Sequence, residues 1–242
     1  MFVGNMPDLP FDLTESLNQL RVSLGFAGEN IKTIEVTSST PNEGKSFVAM
    51  NLWKMMAEVG NRVLLIDCDL RNSEMRAKWD LETDEDLVGI VHFLAGKADI
   101  NDIVYKTNII NGYMIPVATC VPNPTILLEG KRFRDLLEMC KSQFDYILLD
   151  TPPLGSVVDG LKIATYCDGS LLVIRSGETP RKMVENSVSL LNRTDTPLLG
   201  VVLNRAITTK RSNYYYNRYY RYGYNSEYYN GTDKQKHKTS KK

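Results

Sequence analysis

The apolar positions of the chain fall into short unbroken runs, separated by longer stretches where they recur every three or four residues. The runs cover residues 33–38, 62–67, 113–117, 145–150, 170–175 and 199–204. Each is rich in Ile, Leu and Val without polar alternation, as strands covered on both faces read. The helical spacing predicts helices over 13–26, 45–59, 87–95, 126–141, 160–166 and 180–192. Strands alternating with helices predict an α/β fold, a doubly wound and mostly parallel sheet that binds ligands outside the carboxyl ends of its strands.

The pattern stops near Arg205. Residues 213–230 read NYYYNRYYRYGYNSEYYN, nine tyrosines with no aliphatic residue and with neither a helical nor a strand period. From Ile207 to the end, nine Lys or Arg face Glu227 and Asp233, a balance of +7; the totals of 29 and 29 then leave −7 for the rest. An acidic body and a basic tail predict two parts, a folded domain over 1–206 and a flexible tyrosine-rich segment over 207–242.

Composition narrows the chemistry. Hydrophobic residues at 43% and charged residues at 24% are ordinary for a globular protein of 242 residues. Cys68, Cys120, Cys140 and Cys167 are scattered, and His92 and His237 are the only histidines, so neither a zinc site nor a Ser-His or Cys-His nucleophile is expected. The sequence shows no secretory signal pattern and no apolar stretch long enough to span a bilayer, so a cytosolic protein is expected.

The sharpest local signal is TSSTPNEGKSF, directly after the first apolar run and directly before a helix. A phosphate-binding loop needs backbone N–H groups turned inward at a helix N-terminus, a lysine that reaches the β- and γ-phosphates, and a hydroxyl for magnesium. Gly44, Lys45 and Ser46 supply these in order, within a loop formed by Ser39, Thr40, Pro41, Asn42, Glu43 and Phe47; Ser39 stands where such loops usually have their first glycine. Alone, GKS also fits an ordinary strand–turn–helix. Two further runs end in acids: VLLID at Asp67, followed by Cys68, Asp69, Leu70 and Arg71, and YILLD at Asp150, followed by Thr151 and two prolines. Each Asp fits a helix N-cap. Acids at the carboxyl ends of two buried strands are costly without a cation, and Mg·ATP on the loop is that cation.

These residues resemble the bacterial tyrosine kinases, P-loop autokinases of capsular and exopolysaccharide synthesis. SSTPNEGKS resembles that family's Walker A motif, LLIDCDLR its Walker A′ and ILLDTPP its Walker B; PNPTILLEG resembles its PNP-x-x-LL segment, and the tail resembles its tyrosine cluster. Two departures stand out. Asn42 replaces a usual glycine, so it must accept that loop's backbone angles, and Asn is the residue that best tolerates positive φ. The helix that carries E-x-x-R-x-x-R for ring assembly reads Glu15-x-x-Asn18-x-x-Arg21 here, without the middle arginine.

The resemblance implies ATP and Mg²⁺ as ligands and catalysis by Lys45, Asp67, Asp69 and Asp150. Lys45 would hold the phosphates, with Ser46, Asp69 and Asp150 around Mg²⁺. Asp67 is favoured over Asp69 as the acceptor of the tyrosine proton. Arg71 would meet phosphate or a neighbouring subunit, and Asn204 adenine, although a turn residue is an equal reading of Asn204. The implied phosphate acceptors are Tyr214, Tyr215, Tyr216, Tyr219, Tyr220, Tyr222, Tyr224, Tyr228 and Tyr229. The implied partners are a membrane-bound activator that recruits the chain to the inner face of the membrane, a cognate phosphotyrosine phosphatase and a second copy of the chain. No nucleic acid is expected. The competing reading is a partitioning or cell-division ATPase of the MinD/ParA type. Those carry an additional lysine at the position occupied here by Thr40, and they leave the tyrosine tail unexplained.

Overall fold

The apolar runs become six strands of one seven-stranded sheet in a computed structural model that describes residues 1–28 and 30–206. In chain order the first elements are β1 (Phe2–Val3), α1 (Phe11–Gly25), β2 (Thr33–Ser38), α2 (Lys45–Glu58), β3 (Val63–Asp67), α3 (Met75–Lys78) and β4 (Leu81–Glu82). There follow α4 (Ile90–Leu94), α5 (Ile100–Ile103), β5 (Tyr105–Lys106), β6 (Gly112–Ile115), α6 (Thr125–Glu129) and α7 (Lys131–Lys141). The last are β7 (Tyr146–Asp150), α8 (Asp159–Ala164), β8 (Gly169–Arg175), α9 (Arg181–Leu191) and β9 (Leu198–Asn204). The nine tail tyrosines named above lie outside the described residues.

The sheet order is β5-β6-β3-β7-β2-β8-β9, parallel throughout except for β5, which runs antiparallel to β6. Side chains alternate faces along each strand. One face buries Leu64, Ile66, Ile147 and Leu149 with Phe133 and Leu137 of α7. The other buries Val63, Leu65, Leu148, Ile34 and Val36 with Leu52, Trp53 and Met56 of α2. Trp53 also gives its indole N–H to the carbonyls of Val63 and Tyr113, so its own buried donor is met.

Pairing register places the site. Asp67 lies opposite Asp150 in the β3–β7 pair, and Asp150 lies opposite Val36 in the β7–β2 pair. The carboxyl ends of β3, β7 and β2 therefore meet at one rim, where β2 runs into the GKS loop. Strand connections lie on both sides of β2, the switch point at which such sheets bind ligands.

Two helix expectations need correction. The predicted 126–141 helix is two: Gly130 takes φ −65° and ψ 154°, an extended conformation that breaks the ladder between α6 and α7. The predicted 87–95 helix shrinks to α4 because Gly89 is extended and sits close beneath the chain, where a Cβ would come 2.3 Å from the Pro116 carbonyl oxygen.

Candidate nucleotide site

The loop between β2 and α2 is shaped by three residues. Asn42 adopts φ 65°, the left-handed conformation for which Asn is the best substitute for glycine. Gly44, at φ 98°, caps α2; a Cβ there would come 2.0 Å from Asn204 Nδ2. Glu43 is buried and ties the loop together. Its Oε2 accepts from the Thr40 N–H at 2.8 Å, its Oε1 accepts from the Thr179 hydroxyl, and its carbonyl accepts from Asn204 Nδ2 at 2.8 Å. Ser39 is buried and accepts from the Ser187 hydroxyl at 2.9 Å. Pro41 is exposed, and Phe47 stacks on Trp79. The fourteen-residue helix α2 thus presents its N-terminal N–H groups to the loop, where they have no intrahelical acceptors.

Lys45 gathers the acids. Its Nζ lies 3.3 Å from Asp150 Oδ1, 3.6 Å from Asp69 Oδ2 and 3.4 Å from Ser46 Oγ. Burial works to lower the pKa of its ammonium group; Asp150, Asp69 and Asp67 overcome that and push it up. Asp67 is 1% exposed and accepts from the Asp69 N–H at 3.1 Å and from the Ser73 hydroxyl. Burial, with the Asp150 charge beside it, pushes the Asp67 carboxyl up to about 7 despite those bonds. Burial likewise raises Asp150, against the pull of Lys45 and Ser46.

A cationic ligand fits this set. Two carboxylates pushed up by burial, with one lysine to share, form a site short of positive charge. Among the described residues no three His, Cys, Asp or Glu side chains form a cage for a metal. Mg²⁺ does not need one, because it binds through one or two carboxylates and completes its shell with phosphate oxygens and water. Ser46, Asp69 and Asp150 supply that protein share. The four cysteines are free, and burial raises the thiols of Cys68, Cys140 and Cys167, so they act as inert core residues.

Two expected ligands are placed differently. Arg71 is not gathered at Lys45: its guanidinium donates to Asp159, to the Pro122 carbonyl and to Thr125. Asn204 spends its amide on the Glu43 carbonyl and on the Arg205 N–H. Sequence reasoning also passed over Glu35, a carboxylic acid in the middle of β2 with 0% exposure. It accepts from Thr151 Oγ1 at 2.9 Å and from Ser170 Oγ at 2.8 Å, and burial pushes it up to about 7. A lone Glu in an apolar run was its one signal.

The AAA domain family matches residues 31–178. The tyrosine-protein kinase CpsD of Streptococcus pneumoniae is 38% identical over 191 residues, covering 79% of this chain and 83% of its own. The kinase domain of the Escherichia coli tyrosine kinase ETK superposes with a TM-score of 0.74 at 30% identity, over 85% of each chain. MinD from Pyrococcus horikoshii, solved with Mg-ADP, superposes with a TM-score of 0.64 at 23% identity, over 75% of this chain and 73% of its own, which shows a shared fold. On sequence, fold and the three motifs at one rim, the chain belongs to the bacterial tyrosine kinase family of P-loop proteins.

Proposed function

We propose that this chain is an ATP-dependent protein-tyrosine autokinase that uses Mg²⁺ and phosphorylates its own C-terminal tyrosine cluster. The observation that carries this is the convergence of Asp69 and Asp150 on Lys45, in a chain whose relatives are named tyrosine-protein kinases. Phosphoryl transfer asks the protein mainly for positioning and charge neutralisation. Mg·ATP, when bound, brings the phosphoryl group and a cation for its charge. Lys45 Nζ would turn from Asp150 and Asp69 to the β- and γ-phosphates, and the first N–H groups of α2 would face them. Ser46 Oγ, Asp69 and Asp150 would hold the cation. Asp67, beneath them, would take the phenolic proton once the Ser73 hydroxyl gives way. The tyrosine oxygen bonds to the γ-phosphorus as the bond to the bridging oxygen breaks, leaving ADP.

The acceptors sit in a segment of charge +7. Each phosphate adds about −1.5 to −2 charges, so a few reverse its sign, a change that a partner can read. The family resemblance supports the rest: a cytoplasmic chain recruited to the membrane by a membrane-bound activator, opposed by a phosphotyrosine phosphatase, self-associating and serving capsular or exopolysaccharide synthesis.

The test is the intact mass of the protein after incubation with Mg·ATP, beside Lys45→Met. Added phosphate masses that map to Tyr214–Tyr229 and vanish in the variant are expected. Unchanged mass, with and without the activator present, together with ATP hydrolysis, overturns the autokinase and leaves an ATPase of the MinD/ParA type.

A further inference from the structure

The turn that carries Asp69 leaves β3 at Asp67 and reaches the short helix α3 only at Met75, so bonds to other segments help to fix its shape. Within the turn, the Asp69 N–H reaches Asp67 Oδ1 and the Asn72 N–H reaches Asp69 Oδ1 at 3.2 Å. Outside it, the Val121 N–H donates to the Leu70 carbonyl at 2.8 Å. Arg71 closes the turn: Nη1 reaches the Pro122 carbonyl at 2.6 Å, Nη2 reaches Thr125 Oγ1 at 3.3 Å, and Nε and Nη2 reach the two oxygens of Asp159. Thr125 in turn donates to Asp159 Oδ1 at 2.8 Å. Asp159, at the start of α8, is 1% exposed and accepts from both Arg71 and Thr125.

We propose that Asp159 is a positioning residue that acts through Arg71 to set the distance between Asp69 and Lys45, and so the magnesium dependence of nucleotide binding. This rests on the nucleotide reading above. A buried carboxylate paired with a guanidinium holds its geometry tightly, because parting them strands a charge. Arg71 is two residues from Asp69, whose 3.6 Å contact is the longer of the two ion pairs on Lys45 and the one without support from a strand ladder. The clamp pulls that end of the turn against α6 and α8. It also gives the PNPT segment, Pro122–Thr125, a part in the site, since its carbonyl and its hydroxyl form two sides of the Arg71 socket.

The experiment is ADP affinity by calorimetry, in Mg²⁺ and in EDTA, for the wild-type chain, Asp159→Asn, Arg71→Lys and Thr125→Val. D159N keeps the shape and an acceptor for Thr125 but turns an amide N–H₂ towards Arg71. The tightening that Mg²⁺ confers on ADP is expected to fall about tenfold or more in D159N and R71K, the usual cost of losing an outer-shell partner, and about threefold in T125V. Affinity in EDTA, set by the GKS loop, is expected to stay within about twofold. Thr107→Val is the control. It removes a buried 2.8 Å bond to the Gly112 carbonyl at the opposite end of the sheet, and it should lower the melting temperature with the Mg²⁺ effect intact. An undiminished Mg²⁺ effect in folded D159N overturns the proposal, as does a loss in EDTA as large as that in Mg²⁺. If D159N does not fold, R71K and T125V decide it by the same ratio. ADP that fails to bind the wild-type chain under either condition overturns the nucleotide reading, and this proposal with it.

Discussion

Replacing Glu35 by Gln should make the protein more stable at pH 8 and hardly change it at acid pH. In the folded chain the carboxyl lies at about 7, against an ordinary 4.5, because burial opposes its charge more than Thr151 and Ser170 favour it. A raised acid means that the folded state holds its proton more tightly than the unfolded chain does. The stability it contributes is therefore complete below about 4.5 and lost as pH rises through the window to about 7. At roughly 1.4 kcal/mol per unit, the full loss is about 3 kcal/mol; between pH 5 and pH 8 it amounts to about 2 to 3. The substituted glutamine keeps an acceptor for Thr151, and the Ser170 hydroxyl can rotate to accept from its amide. The assay is urea denaturation from pH 5 to pH 8, followed by tryptophan fluorescence, since Trp53 and Trp79 are both buried. All other titrations are common to the two proteins and cancel in the difference. Curves that run parallel across the range would falsify the argument, because they mean that Glu35 ionises as it does in water.

Three further outcomes follow from the loop. Lys45→Met without nucleotide should cost about 3 kcal/mol in the same assay, since it leaves buried Asp150 and Asp67 without their cation; no loss would mean that the acids simply hold their protons. Gly44→Ala should weaken ADP binding more than about tenfold in calorimetry, because the methyl overlaps Asn204 Nδ2 at positive φ. Adding Asn204→Ala should restore part of that affinity; no recovery would place the strain in the backbone alone. Asn42→Gly should leave stability within about 1 kcal/mol, whereas Asn42→Val should cost about 2, since a β-branched residue is strained at φ 65°; equal effects would refute the conformational reading.

Five inner strands were legible because two-sided burial writes itself as an apolar run, and β9 at the margin shares that composition. The short elements β1, β4, β5, α3 and α5 span two to four residues each and carry no period to read. Lys45, Asp69 and Asp150 were legible because spacing and strand ends fix them locally. Arg71 was not: its partner Asp159 is 88 positions away, and nothing local tells a phosphate-seeking arginine from a clamped one. Glu35 hid for the opposite reason, since one carboxylate scarcely alters the pattern of a strand whose neighbours are apolar.

The two margins of the sheet differ. On one side β5 runs backwards for two residues and closes the ladder. On the other, β9 is the last strand among the described residues, and Val201 and Leu203 are 46% and 55% exposed along it. Its LLGVVLN sequence carries no lysine and no proline, the usual guards of a free margin. Among the described residues, β9 is therefore the margin most open to pairing between copies of the protein when concentrated. A single Val201→Lys substitution is the simplest way to keep preparations monodisperse without touching the rim where β2, β3 and β7 meet.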